Sequence, residues 1–480
     1  MTSQAAPGQS CPAHRDRMPL HGPGFAADPA ATYRALREHG PVAPVELAPG
    51  VPATLVVGYS AALDVLRNPN AFPRDPRRWQ AKMPPDCPVL PMMMYRPNCL
   101  FADGAAHARL RAVVTDSLAR VDPNALRGQV EATADLLIAR FAGNGEADLL
   151  GEYAKLLPLM MFNHLYGCPR ELGDRLVVAM RNIFDMVEPE QANAELTQCM
   201  LELVALKRQR PGQDMPSWMM AHPARLTDEE LIHQLVLLMG AGTEPEQNLI
   251  ANAIRLLLAD DRFAGDLSGG SLPVEEALDE VLWTDPPMAN YSASYPVEDT
   301  DFAGVRLPAA EPVVISFAAA NNDPVLAGQQ RSGNRAHLAW SAGVHSCPAQ
   351  QPARLIASVA MEKILDALPD MRLAVPVDEL VWRPGPFHRA LTALPVRFTP
   401  VSVPVQPDEF PGEDRWNAQP TTPAPSTDPH PSTPSPSTPS PSTPSSSTRP
   451  VGTSTPSPRP SPRGDRRRWW NSLAGFLRGR

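Results

Sequence analysis

Residues 417–463 set the outer limit on what this chain can fold. They are dominated by Pro, Ser and Thr, with repeats such as Ser-Thr-Pro-Ser-Pro. Such a tract has too few apolar side chains to offset the entropy of ordering its backbone, and it stays extended and solvated. The 58 prolines of the 480 residues are spread unevenly, so they mark a linker and not an unusual fold. The chain therefore divides into a flexible N-terminus (1–20), a foldable body (21–405), a disordered linker (406–463) and a short end (464–480).

The body reads as one mainly α unit with a minor β region. Asp28-Pro29 has the form of an N-cap and a first-turn proline, opening a helix over 30–39. Thr54-Leu55-Val56-Val57 reads as a strand, and 62–66 as a short helix. Thr227-Asp228-Glu229-Glu230 is a capping box. The apolar spacing that follows predicts a long helix, interrupted at Gly240-Ala241-Gly242-Thr243-Glu244-Pro245. Hydrophobic residues at 43% suffice for a substantial core, and the net charge of −9 argues against nucleic acid as a partner of the body. The cysteines, Cys11, Cys87, Cys99, Cys168, Cys199 and Cys347, lack zinc or redox spacing, which fits free thiols in the cytoplasm. No leader peptide and no membrane span are recognisable.

Cys347 stands in His337-Leu338-Ala339-Trp340-Ser341-Ala342-Gly343-Val344-His345-Ser346-Cys347-Pro348, ahead of a helical run from 353 to 368. A thiol at a glycine turn that opens a helix is placed to ligate a metal, with the first backbone N–H groups expected to lower its pKa. The bland alternative is a small apolar core residue, which prevails for a cysteine taken alone. Pro352 predicts that the helix starts late or kinks.

The segment Trp340–Ala349 resembles the cysteine-ligand loop of bacterial cytochromes P450. Asp103-Gly104-Ala105-Ala106-His107-Ala108-Arg109-Leu110-Arg111 resembles the haem-contacting helix of that family, and Trp382-Arg383-Pro384 to Phe398 its closing strands. The resemblance runs from about Gly22 to Val401. It implies a haem-thiolate fold holding haem b (iron protoporphyrin IX), Cys347 as metal ligand, and His107, Arg111 and His345 as cofactor-binding residues. It also implies a monooxygenase that oxidises a small apolar molecule with electrons from a ferredoxin and ferredoxin reductase.

Three departures qualify it. Glu244 keeps the acid of the family's proton-delivery pair, but Pro245 replaces the alcohol, and Thr243 stands two residues away. Trp283 replaces the arginine of Glu-x-x-Arg, which leaves Glu280 to find another cation, with Arg331 and Arg335 as candidates. Asn321-Asn322-Asp323-Pro324 keeps its frame without the usual arginine, and Ser294 falls where many members bind a propionate with arginine. Glu-x-x-Trp resembles an actinobacterial subgroup encoded in conservon-type GTPase and sensor-kinase operons. The alternative function is thus a catalytically impaired haem protein acting as sensor or scaffold in a GTPase-linked signalling complex.

Residues 464–480 bring Trp469, Trp470, Leu473, Phe476 and Leu477 to one helical face between arginines. That pattern suits peripheral attachment to an anionic membrane at the inner face of the cell membrane, or docking to a protein partner; a solvated end is the bland reading. The segment 75–97, with Met92-Met93-Met94, suggests the roof of an apolar pocket.

Overall fold

The computed structural model describes residues 17–184, 187–260, 274–326 and 333–402. Cys11, Arg331, the linker and the basic end lie outside the described residues.

The N-terminal part builds a sheet. Strand β1 (Met18–Pro19) precedes helix α1 (Pro29–Arg37), where the Asp28 carboxylate accepts the Ala31 N–H at 2.9 Å and Pro29 fills the first turn. Strands β2 (Val42–Ala48) and β3 (Val51–Val56) follow, then α2 (Tyr59–Arg67). The sheet is completed from far along the chain by β5 (Asn290–Ser294) and β6 (Val313–Ser316), in the order β1-β2-β3-β6-β5. Both β1–β2 and β3–β6 are parallel; the other two pairings are antiparallel. The core beneath it takes in Tyr33, Leu55, Trp79, Met93 and Val314. Met93 is a packed core residue, with Met92 and Met94 partly buried against the same cluster.

The rest is helical. Helices α3 (Gly104–Leu118), α4 (Pro123–Phe141), α5 (Leu156–Leu165), α6 (Arg170–Phe184) and α7 (Pro189–Gln209) lead to α8 (Asp228–Ala259). Helix α9 (Val274–Thr284) and α10 (Gln350–Ala367) pack against α8. A second sheet joins β4 (Glu146–Asp148), β8 (Pro395–Arg397) and β7 (Arg372–Leu373), in that order. Ile138, Phe141, Leu157, Ile250, Ile254, Leu282, Val359 and Ile364 form one continuous buried core between α4, α5, α8, α9 and α10.

The capping box forms as expected: Thr227 Oγ1 accepts the Glu230 N–H at 3.1 Å, and Glu230 Oε2 accepts the Thr227 N–H at 2.9 Å. The expected interruption does not occur. Helix α8 runs unbroken for 32 residues, roughly 48 Å, with Pro245 inside it. A mid-helix proline costs about 3 kcal/mol. Here its flanks, Thr243-Glu244 and Glu246 to Ala251, are buried on all sides, and that packing holds the helix. Pro352 likewise falls in the first turn of α10, where an N–H has no partner to lose, so the helix does not start late. Among the described residues no helix is long and apolar enough to cross a membrane.

Candidate functional site

Cys347 lies on a turn held from both sides. Its N–H donates to the Trp340 carbonyl at 2.8 Å, and the Ala349 N–H donates to its Sγ at 3.4 Å. Gly343 sits at φ 70°, and a Cβ there would lie 2.3 Å from the Leu66 carbonyl oxygen, so only glycine lets the loop press onto the end of α2. The expectation of a lowered thiol pKa fails. Burial pushes the Cys347 thiol up, and the Ala349 N–H and the Arg111 charge offset only part of that. A thiolate here needs a cation closer than the helix end provides.

Helix α3 brings the other residues to the thiol. The Arg111 guanidinium donates to the Ser346 carbonyl, next to Cys347. The rings of His107 and His345 lie 4.1 Å apart. His345 Nε2 is 3.7 Å from Asp103 Oδ1. Burial, then the neighbouring His345 and Arg111, pushes His107 down to about 4. Burial lowers His345 as well. Both imidazoles are therefore neutral at pH 7 and can each offer an N–H. His107 Nε2 and His345 Nε2 are buried with no protein hydrogen-bond partner among the described residues.

Arg74 completes this corner, and no sequence motif marks it. Its side chain is buried, and its Nη1 donates to the Ala293 carbonyl at 3.0 Å, beside Ser294. Its backbone N–H donates to Asp103 Oδ2 at 2.8 Å. A sulfur ligand, two imidazole edges with free donors and two guanidinium groups, Arg74 and Arg111, form a donor set that fits haem: one iron above the thiol and two carboxylates at the rim.

Helix α8 separates its two candidate residues. Thr243 Oγ1 donates back to the Met239 carbonyl at 2.7 Å, within its own helix. The Glu244 carboxylate accepts from Arg383, of the closing segment. Arg383 and His388 line a cavity of about 310 Å³ together with Tyr33, Arg37, Trp382 and Arg389. Gly242 faces α5: a Cβ there would meet the Phe162 ring at 2.4 Å. The two residues that the sequence places side by side thus do not share a partner.

The brace behind the cysteine loop is rebuilt. Glu280 is half-buried, and Arg331, one of its two candidate cations, lies outside the described residues. The buried acid of α9 is Asp279, one residue earlier. Arg354 of α10 donates to both Asp279 and Glu275. Arg335 reaches the same two acids, each at 3.2 Å. Two acids four residues apart on one helix were a legible signal for a shared cation. Trp283 Nε1 donates to the Asn334 carbonyl at 2.7 Å, and its ring meets His337 edge-on at 5.7 Å. The Asn321–Pro324 segment clamps this arrangement: Asn321 Nδ2 donates to the Leu282 carbonyl, and its Oδ1 accepts the Leu338 N–H.

The chain folds as a haem-thiolate protein and gathers the residues that such a fold uses around one cysteine. Comparison with known proteins names the class. The chain is 32% identical over 393 residues to cytochrome P450 monooxygenase PikC of Streptomyces venezuelae, covering 78% of this chain and 92% of that protein. It is 30% identical over 397 residues to the vitamin D(3) 25-hydroxylase of Pseudonocardia autotrophica, covering 79% and 96%. The solved structure of CYP154C4 from Streptomyces sp. ATCC 11861 matches with TM-score 0.73 at 30% identity, over 80% of this chain and 98% of that one. No family model matches the chain. The chain belongs to the bacterial cytochrome P450 family, and it is a haem-dependent monooxygenase.

Proposed function

We propose that this chain holds haem b through Cys347 Sγ and oxidises a small apolar molecule, with electrons delivered by a ferredoxin and its reductase. The observation that carries this reading is the convergence of Cys347, His107, Arg111 and His345 on one side of α3. Relatives named for apolar substrates, a vitamin D(3) 25-hydroxylase and, at 27% identity, a steroid C26-monooxygenase, support the substrate class.

Bound haem supplies the activation of dioxygen. The chain's own residues do the rest. The Ala349 N–H orients the sulfur. His107 and His345 offer their free N–H groups to the acidic side chains of the cofactor, and Arg111 fixes the loop to α3. We assign proton supply to Glu244, which its ion pair with Arg383 connects to the 310 Å³ cavity and so to solvent. Pro245 donates nothing, and the Thr243 hydroxyl is engaged with Met239, so an ordered water or a hydroxyl of the substrate fills the alcohol's place. The alternative of a sensor or scaffold, including the link to GTPase operons suggested by Glu-x-x-Trp, finds no support in these likenesses. Residues 464–480 are proposed as a tether to an anionic membrane or a protein partner; liposome co-sedimentation with and without them separates the two.

The test is the absorption spectrum of the reduced, CO-bound protein. A red-shifted Soret band that Cys347→Ala abolishes supports the proposal; a protein that takes up no haem, or a spectrum unchanged by Cys347→Ala, overturns it. NADPH consumption with surrogate ferredoxin partners, scored for product across a panel of apolar compounds, tests the activity.

A further inference from the structure

Strand β5 ends at Ser294, where the family resemblance leads one to expect an arginine. The position is not left without a cation. The segment before residue 75 runs alongside the end of β5: the Tyr295 N–H donates to the Pro73 carbonyl at 2.8 Å, and Arg74 Nη1 donates to the Ala293 carbonyl at 3.0 Å. A guanidinium from a different part of the chain thus sits next to Ser294. It is 5% exposed, and its charge acts on both His107 and His345.

This guanidinium has five N–H donors, and the only side-chain hydrogen bond seen for it among the described residues goes to a neutral carbonyl. No carboxylate lies within ion-pair distance of it among the described residues. The nearest acid, Asp103, accepts the Arg74 backbone N–H at Oδ2, and its buried Oδ1, 3.7 Å from His345 Nε2, makes no hydrogen bond among the described residues. Burial pushes Arg74 down to about 10, with Asp103 opposing, which still leaves it charged at pH 7. A buried cation without an anion beside it is costly. The Arg74 guanidinium therefore keeps donors for a further carboxylate.

We propose that Arg74 binds a propionate carboxylate of the haem and stands in for the arginine absent at Ser294. The proposal rests on the haem-thiolate reading above and adds to it a cofactor-binding residue on a separate segment. The same chemistry would also suit a carboxylate on a substrate, and the test separates the two sources.

Haem loss from the ferric protein to an excess of an acceptor apoprotein is followed by absorbance, with haem and with haem dimethyl ester, whose propionates carry no charge. In the wild type the ester should dissociate faster than haem. Arg74→Leu should speed haem loss by about tenfold, the scale of one charge-assisted hydrogen bond, and should shrink the difference between haem and ester. Arg74→Lys should recover part of the retention, and Ser294→Arg in the Arg74→Leu background should recover more. Haem loss at the wild-type rate from Arg74→Leu overturns the proposal and points to a substrate carboxylate. Equal acceleration of haem and ester also overturns it, as a purely structural effect. Arg74→Gln, which keeps a donor for Ala293, gives the same comparison if Arg74→Leu fails to fold. Failure of the haem-thiolate reading itself is recognised earlier, in a wild type that takes up no haem.

Discussion

Single buried side chains set much of this protein's pH behaviour. His337 has both ring nitrogens buried without a hydrogen bond among the described residues, and burial pushes it from 6.5 down to about 4. A histidine lowered on folding binds a proton more readily when unfolded. Its contribution is present above about 6.5 and is lost as pH falls toward about 4. His337→Phe should flatten the decline of the thermal midpoint over that window; an unchanged slope by calorimetry would remove His337 as a cause. Glu246 works on the alkaline side. It is fully buried in α8, and burial raises it well above the carboxylate range. Its neutral form is favoured by the fold, so stability falls as pH rises past the unfolded value. Glu246→Gln should raise the thermal midpoint at pH 7 to 8, with the gain vanishing near pH 4. Pro245 belongs to this scale too. Pro245→Thr should raise the product formed per NADPH severalfold and lower peroxide release, if the missing alcohol limits proton supply.

At the scale of elements, the decisive contact joins α9, α10 and the cysteine loop. Where the family resemblance leads one to expect an arginine on this helix, two further acids on α9, Glu275 and Asp279, receive arginines from α10 and from the loop. Arg354→Leu leaves Asp279 buried beside only Arg335 and should cost about 3–5 kcal/mol. Trp283→Phe loses one hydrogen bond to Asn334 and should cost about 1 kcal/mol. Urea denaturation separates these; equal costs would mean that Trp283 shares the load. Helix ends and their caps were readable from the sequence because they depend on neighbours in the chain, as at Asp28 and Thr227. The continuity of the central helix through Pro245 is not legible locally, because the packing that overrides the proline comes from α5, α9 and α10, which are not neighbours of that turn in sequence. Of the brace's two arginines, Arg335 is legible in the sequence as a candidate cation, and Arg354 is not, for the same reason. Glu280 occupied the familiar position and drew attention away from Asp279, and Arg354 lies 75 residues beyond its partner.

For the whole molecule, the candidate site was legible where a local motif carried it. Cys347, His345, His107 and Arg111 fall on two short segments, and the fold brings those segments together. Arg74 and Arg383 belong to no such motif. They become visible only when β5 and the closing segment are laid against α3 and α8, a matter of three-dimensional neighbourhood. The seat of Gly343 on the end of α2 carries a consequence for the molecule at large. The turn that presents the sulfur is bolted to the sheet side of the protein, while α10, which follows it, belongs to the helical side. Loosening of either half would tug on the same atom. Loosening of the sheet side should therefore shift the absorption of the haem-loaded protein, which a denaturation series followed at the Soret band checks.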